Sequence, residues 1–134
     1  MDEYLKKTQD FFKNDIFATE QAGIVILEAK PGYSKCSMKV DRRHQNAVGA
    51  VMGGAIFTLA DFCFAVAVNG DISNGTIVSV DSTIKYVGKT KTDTLIAEAC
   101  EVKSGRTLVF YDIKISDSDG NQVAVTHITG CRTK

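Results

Sequence analysis

The chain has 134 residues, of which 44% are hydrophobic, and it carries 16 basic and 16 acidic side chains. This length suits one domain, residues 1–134, whose folding buries roughly two thirds of the surface of the unfolded chain. Because the charges balance, no basic stripe favours nucleic acid and no net charge favours anionic membranes. The expected partner is a small molecule or another protein.

The first segment predicts a short amphipathic helix, for which Asp2 is available as the N-cap. Its apolar or small side chains recur at helical spacing at Tyr4, Leu5, Thr8, Phe11, Phe12 and Ile16. The segment lacks the apolar run of a signal peptide, and the longest apolar stretch of the chain is too short to span a bilayer. We therefore expect a soluble, cytoplasmic protein.

A hairpin is predicted next, followed by a long helix. Alternating residues at 24–27 and 36–40 flank a Pro31-Gly32 turn, which is a hairpin pattern. Residues 54–69 open on a glycine, close before an Asn-Gly pair and are apolar on almost every face. This pattern is typical of a buried central helix.

Four strand candidates follow the helix, at residues 76–87, 94–102, 107–115 and 122–131. Turn-forming pairs such as Ser-Gly and Asp-Gly separate them, so we predict an antiparallel meander of these four strands. A sheet of about six strands must bury its concave face, and only the central helix is apolar enough to cover it. The predicted fold is α+β: an antiparallel six-stranded sheet wrapped around one helix, with an additional N-terminal helix.

Asp61 is the only charged residue within residues 52–69. The nearest basic residues in sequence, Arg43 and Lys85, are too far away to pair with it on the helix, and burial of an unpaired charge is costly or shifts its pKa. A poorly solvated carboxylate acts as a general base toward water or attacks an acyl carbon directly. The alternative is that Asp61 caps a shorter helix beginning at Phe62.

The glycine pair at the helix start is a candidate oxyanion site. The first N–H groups of a helix have no acceptor within it, and Gly53 and Gly54 let a ligand approach the backbone closely. Such donors stabilise the oxyanion that forms when water attacks a thioester carbonyl. The alternative is a tight strand-to-helix turn without a ligand. Asp61 lies about two helical turns further on, so we expect it to act in a neighbouring site.

The segment from Asn46 to Asp61, NAVGAVMGGAIFTLAD, resembles the signature of hotdog-fold acyl-CoA thioesterases of the phenylacetic-acid-degradation (PaaI-type) subgroup. The following strand, Val-Ser-Val-Asp at residues 78–81, and the order of the strands are similar to that subgroup over nearly the whole chain. The resemblance implies hydrolysis of acyl-CoA, with coenzyme A as part of the substrate. It also implies a homodimer or a dimer-of-dimers homotetramer, and no metal or redox cofactor is needed.

The resemblance assigns roles to residues at matching positions. Asp61 resembles the catalytic carboxylate, which the subunit opposite the oxyanion donor contributes, and Gly53 resembles that donor. Asn46 is similar to a residue that holds the thioester or the attacking water, and Ser79 to a hydroxyl that positions this water. Without the resemblance, Asn46 is equally typical of a turn and Ser79 of a solvent-facing strand.

Met52 departs from the family, which usually has histidine before the two glycines. Methionine offers no proton and no strong hydrogen-bond donor. If the histidine only orients the carbonyl, its loss lowers activity by about 10- to 100-fold. If it is essential, the chain is a non-catalytic acyl-CoA-binding or sensor module. Methionine also suits an apolar acyl pocket, with Gly54 beside it at the helix start.

Loop cations are candidates for binding the phosphates of coenzyme A, with ordinary solvated charge as the alternative. They are Lys89, Lys91, Lys103 and Arg106. The four cysteines match neither a zinc pattern nor a CxxC motif, so we expect reduced thiols. His44 and His127 are more typical of hydrogen-bonded or solvent-facing histidines than of catalysts. A hotdog hydratase or dehydratase would need a histidine that the central helix lacks, and a purely structural oligomer is a further alternative.

Overall fold

The apolar segment after Met52 forms one continuous helix against an antiparallel sheet in the computed structural model, which describes residues 2–133. The helices are α1 (Glu3–Phe12) and α2 (Gly53–Asn69). The strands are β1 (Ile24–Lys30), β2 (Tyr33–Lys39), β3 (Ile77–Tyr86), β4 (Thr94–Ser104), β5 (Leu108–Asp117) and β6 (Gln122–Arg132). The predicted fold is confirmed, and the shorter helix beginning at Phe62 is excluded.

The strands lie in the order β1-β2-β4-β5-β6-β3. The hairpin and the meander of β4, β5 and β6 are confirmed, but the prediction that β3 belongs to that meander is wrong, since β3 pairs with β6. The connection at residues 87–93 is too long for a tight hairpin and crosses the end of the sheet. Gly88 N donates to Val123 O at 3.2 Å, and Val40 N donates to Asp93 O at 2.6 Å near the far end of this loop.

One side of α2 packs into the sheet, and the other side is open in the single chain. The buried residues are Ile56, Leu59, Ala60, Phe62, Cys63, Phe64, Val66 and Ala67. Gly54, Thr58, Asp61 and Ala65 follow at helical spacing on another face and are exposed or half-buried; we call them the α2 stripe. The expectation that α2 is buried on almost every face is therefore wrong. Residues three and four apart lie on the same face of a helix, and the α2 stripe is the face that does not contact the sheet.

The N-terminal helix is held by its cap and its apolar side. Asp2 accepts a hydrogen bond from Leu5 N at 3.1 Å, as predicted, and Thr8 and Phe12 are buried. Ile16 lies beyond the end of α1 and is 50% exposed, because the chain there approaches a π-helical turn, Phe17–Gln21. Among the helices of residues 2–133, none combines the length and the apolar character that crossing a membrane requires.

Candidate functional site

The first turn of α2 leaves two backbone donors free. Ala55 N and Ile56 N donate to Met52 O at 3.0 and 3.2 Å, which begins the hydrogen-bond pattern of the helix. Within residues 2–133, the N–H groups of Gly53 and Gly54 have no acceptor. The partial positive charge of the helix start adds to these donors, so a carbonyl oxygen or an oxyanion is the matching ligand.

Tyr86, at the end of β3, fixes the position of the helix start. Its hydroxyl donates to Gly53 O at 2.9 Å, and its ring would lie 3.1 Å from a Cβ atom at Gly53. A Cβ atom here would need a small shift of Tyr86, so a side chain of the same protein, as well as any ligand, favours glycine. The contact involves the carbonyl and the Cα side of Gly53, and it leaves the N–H free.

Asn46 organises the loop that precedes α2. Its Oδ1 accepts hydrogen bonds from Val48 N and Ala50 N, each at 3.1 Å. The turn role that the sequence left open is thus present. The Nδ2 group has no acceptor in the part of the chain that the structure describes, so the same side chain still offers a donor to a ligand.

Asp61 lies in the middle of the α2 stripe, and its side chain is exposed in the single chain rather than buried. Apolar side chains of Ile16, Phe17 and Phe62, together with Asp15, line the cavity of about 320 Å³ that contains it. The water displaced by these apolar neighbours and, next, the negative charge of Asp15 raise the pKa of Asp61 above its usual range. The sequence led us to expect that burial shifts this pKa; the shift here is upward, and its cause is partial rather than full burial.

A second cavity, of about 450 Å³, opens at the N-terminal end of the α2 stripe. Met52 and Gly54 line it, and it adjoins the Asp61 cavity because both are lined by Phe17 and Thr58. Two of the predicted substrate-binding residues, Met52 and Gly54, therefore lie together, beside the free N–H groups of the helix start.

Arg43 and His44 hold the π-helical turn against the segment before α2. Arg43 Nη1 donates to Gln21 O at 2.8 Å, while its Nε donates to Asp41 Oδ1 at 3.0 Å. Asp41 N donates to His44 Nδ1 at 3.0 Å, so the ring proton lies on Nε2, which donates to Ala22 O at 2.7 Å. Both ring nitrogens of this buried histidine are engaged, and it does not replace the histidine that the family has before the glycines.

Lys89 and Lys91 border a third cavity, of about 540 Å³, which the loop before α2 also lines. Asp117, only 2% exposed, holds the lysine-bearing loop by accepting a hydrogen bond from Lys91 N at 2.7 Å. Burial opposes the charge of Asp117, but hydrogen bonds from Lys91, Asn121 and Asp119 lower its pKa to about 2.

Three predicted residues, Lys103, Arg106 and Ser79, lie away from this region in the single chain, and Lys103 belongs to β4 rather than to a loop. Arg106 follows β4, whereas Lys89 precedes it, and a strand of this length spans roughly 35 Å at about 3.3 Å per residue. Ser79 is exposed on β3. Asn69 Nδ2 donates to Ile77 O at 2.9 Å, which places Ser79 near the end of α2 rather than near its start.

The other reactive side chains form no second centre. Within residues 2–133, no group of three or more His, Cys, Asp or Glu side chains could hold a metal ion. All four cysteines are free, with Cys36 and Cys63 buried and Cys100 exposed. His127 is exposed on β6, where its Nδ1 lies 2.5 Å from Asp112 Oδ1.

The sequence did not indicate three residues of this region: Tyr86, Asp15 and Phe17. Each meets α2 from a segment far away in the chain, so no local pattern reveals the contact. The one available signal is at Phe17, an aromatic residue between the predicted N-terminal helix and the first hairpin, outside both apolar patterns.

Comparison with known proteins places the chain in a defined group. A family model described as a domain of unknown function (DUF4442) matches residues 11–131. Human acyl-coenzyme A thioesterase 13 is 33% identical over 95 residues, covering 70% of this chain and 68% of that protein. The E. coli PaaI protein from the phenylacetic acid degradation operon has a similar structure, with a TM-score of 0.88, 26% identity and coverage of 98% and 94%. A hypothetical thioesterase from Streptococcus pneumoniae, solved with coenzyme A, gives a TM-score of 0.81, 26% identity and coverage of 91% and 96%.

Proposed function

Because the chain belongs to the PaaI-type thioesterases of the hotdog fold, we propose that it hydrolyses acyl-CoA thioesters to a free acid and coenzyme A. The observation that carries this proposal is the pair of free N–H groups at the start of α2 beside an open cavity. The similar structure from Streptococcus pneumoniae contains coenzyme A, which supports the choice of substrate.

The thioester carbonyl oxygen accepts hydrogen bonds from Gly53 N and Gly54 N. These donors stabilise the oxyanion of the tetrahedral intermediate more than the neutral carbonyl, so they lower the barrier. Asp61 takes a proton from the attacking water or attacks the carbonyl carbon itself, and its raised pKa makes it a stronger base than an ordinary carboxylate. When the intermediate collapses, the carbon–sulfur bond breaks and coenzyme A leaves as the thiol, with the proton that Asp61 took from water. If Asp61 attacks directly, coenzyme A takes its proton from solvent, and water then hydrolyses the anhydride between Asp61 and the acyl group to release the free acid. Asn46 Nδ2 is placed to hold the carbonyl or the water.

The complete site requires a second copy of the chain. Asp61 lies eight residues after Gly53, which is about 12 Å along the helix axis at 1.5 Å per residue. One carbonyl therefore does not reach both groups of the same helix. A site made from Gly53 of one subunit and Asp61 of the other accommodates both.

The exposed edge of β3 is where we expect the second copy to pair. β3 has only β6 as a neighbour, and Val78 and Val80 on it are 49% and 59% exposed. α2 begins beside Tyr86 and ends beside Ile77, so it runs opposite to β3. Antiparallel pairing of two β3 strands therefore sets the two α2 helices side by side in opposite directions, with the first turn of one facing the later turns of the other.

The charged part of the substrate binds at a different position on the protein from its apolar part. We assign the phosphates of coenzyme A to Lys89 and Lys91, whose loop is fixed by Asp117. Arg106 contributes to the same site only as a residue of another copy. Ser79 is exposed on the pairing edge, where it can position water in a site shared between copies.

A thiol-release assay over a panel of acyl-CoA substrates tests the activity. We expect the wild type to release coenzyme A and Asp61→Ala to lose roughly 10²- to 10⁴-fold in kcat, as expected for a general base. Persistent hydrolysis by Asp61→Ala would contradict the role of Asp61. The absence of release from every acyl-CoA would contradict the proposed activity.

Mixing two inactive variants tests whether the site is shared. The Asp61→Ala subunit keeps Gly53, and the Gly53→Pro subunit keeps Asp61, so each keeps the group that the other lacks. Random exchange in a two-fold dimer makes half of the dimers mixed, each with one intact site, so about one quarter of the wild-type activity returns. No recovery after verified subunit exchange would show that both groups act within one chain. Light scattering distinguishes a dimer from a dimer of dimers.

An acyl-CoA-binding module is the second candidate function, and the side chain of Met52 favours it. Met52 lines the cavity beside the glycines and has no proton to donate. Saturable binding of an acyl-CoA without thiol release would support this candidate over hydrolysis.

A further inference from the structure

In the single chain, Phe17 stands out as a large apolar side chain exposed at the edge of the site. It is 67% exposed, although it belongs to the π-helical turn that Arg43 and His44 bind from the segment before α2. A single π-helical turn is rare and frequently lies at a functional site. When an apolar group binds against an exposed aromatic ring, apolar surface is removed from water, which favours binding.

The cavity beside Phe17 begins where the thioester carbonyl would be held. Phe17 and Met52 both line it, and so does Gly54, whose N–H is one of the two free donors. The acyl group attached to a carbonyl at this position extends along the cavity, whose other apolar walls are Ala22 and Ala55.

The charged and ionisable side chains of this cavity are already engaged. Arg43 pairs with Asp41 through Nε at 3.0 Å and donates to Gln21 O. Both ring nitrogens of His44 are in hydrogen bonds. Among the lining side chains, only the neutral amide of Gln21 and the Nη2 group of Arg43 remain as donors for a carboxylate, and Asp41 already neutralises Arg43. A carboxylate on the acyl group would therefore recover little of the hydration that it loses here, which is unfavourable.

We propose that Phe17 is a specificity-determining residue that packs against the acyl group and makes the site select uncharged, apolar acyl groups. This inference rests on the proposed function, because it takes the position of the thioester carbonyl from it. The aromatic ring lines the acyl cavity together with Met52, and an acyl group long enough to reach the ring gains the contact. Acetyl-CoA is too short to gain as much.

Binding and turnover of a graded acyl-CoA series test this role. Non-hydrolysable thioether analogues give Kd values, and thioesters give kcat and KM, for acetyl, octanoyl, phenylacetyl and succinyl groups. We expect Phe17→Ala to weaken octanoyl binding relative to acetyl binding by roughly 5- to 30-fold, the loss expected for part of a buried aromatic contact. The change should appear in Kd and KM more than in kcat, and Phe17→Leu should restore most of the preference. The wild type should bind the succinyl analogue more weakly than the octanoyl one.

The matched control is Phe11→Ala, because Phe11 is an exposed phenylalanine of α1 that lines neither cavity of the α2 stripe. It should leave the acyl preference unchanged. An unchanged preference in Phe17→Ala overturns the inference, and so does a change in oligomeric state alone, which would mean that a second copy covers the ring. Analogue binding that responds to Phe17→Ala without any thiol release supports the inference while overturning hydrolysis.

Discussion

The start of α2 and the turn after β5 differ in whether their polar groups have hydrogen-bond partners. At the helix start, the N–H groups of Gly53 and Gly54 have no acceptor within the described residues, and the carboxylate of Asp61 accepts no hydrogen bond from those residues. In the turn after β5, the buried carboxylate of Asp117 accepts hydrogen bonds from the loop at Lys91 and from its own turn. The pKa of Asp61 is raised, while that of Asp117 is lowered to about 2.

This difference separates a group that builds the fold from a group left available for chemistry. A carboxylate surrounded by donors is stabilised as an anion and has little tendency to take a proton. A carboxylate with apolar neighbours and a second negative charge nearby holds a proton more strongly and is a better base. Substitutions in the two regions should therefore affect different measurements.

After the loss of the Asp61 carboxylate, the largest effect is expected from removing the N–H of Gly53. Gly53→Pro deletes this donor at the first helical position, where proline is well tolerated, and Met52 already has the extended backbone (φ −66°, ψ 135°) that suits a residue before proline. Loss of one oxyanion donor should lower kcat by about 10²- to 10³-fold. Steady-state thiol release measures the loss.

Gly53→Ala is the matched control for this substitution. It adds the same Cβ atom against the ring of Tyr86 but keeps the N–H. Its kcat should fall far less than that of Gly53→Pro. Equal losses in the two variants would show that the contact with Tyr86, and not the donor, is what the glycine preserves.

Restoring the family histidine should raise activity. Met52 is 52% exposed beside the helix start, so Met52→His adds a donor without displacing a buried side chain. We expect kcat/KM to rise by about 10-fold, and at most about 100-fold, the range of a single positioning or acid-base group. Met52→Leu, which adds no donor, should stay near the wild type. A lack of any gain in Met52→His would mean that Met52 serves the acyl cavity rather than marking a lost catalytic group.

Asp117→Asn should show the reverse pattern, with a lower free energy of unfolding and little change in kcat. Because the folded-state pKa of Asp117 is lowered, its contribution to stability is full above the unfolded-state pKa of about 3.9. That contribution is lost as the pH falls toward about 2. The difference in unfolding free energy between wild type and Asp117→Asn, measured by denaturant titration, should therefore shrink between these pH values. A difference that does not depend on pH there would contradict the assigned cause.

The fold was predictable because its signals are local, except in one connection. The alternation in the strands and the apolar run of α2 indicate each element within a few residues of its end. The place of β3 was missed since nothing in the sequence of residues 87–93 shows that this loop crosses the sheet. That position depends on contacts such as Gly88 N with Val123 O, which form only in the folded chain.

The candidate site was predictable to the extent that it lies in one segment. Asn46, Gly53 and Asp61 belong to one run of sequence, and the resemblance indicated all three. The exposure of Asp61 was not predicted, because the apolar run hides which face of α2 the sheet leaves open. Tyr86 and Asp15 reach the site through tertiary packing, which no spacing in the sequence records.

The smallest expected effect concerns Asp15, the second carboxylate in the Asp61 cavity. Its negative charge raises the pKa of Asp61 after the effect of partial burial, and the nearby cation Lys13 is paired with Asp10 at 2.7 Å. Asp15→Asn should lower the pKa of Asp61, so more Asp61 is ionised at a given acidic pH. The acid limb of kcat/KM should move to lower pH, and activity on that limb should rise by about 1.5- to 5-fold, as for an exposed charge pair.

Glu20→Gln is the matched control, because it removes the same charge from the same segment but lines no part of the Asp61 cavity. Its acid limb should coincide with that of the wild type. An equal shift in both variants would show that the net charge of the segment acts on Asp61, whereas a shift in Asp15→Asn alone places the interaction within the cavity. No shift in either variant would mean that the apolar neighbours of Asp61 alone raise its pKa. The contrast with Asp117 would then depend on solvation and hydrogen bonding, without a contribution from a second charge.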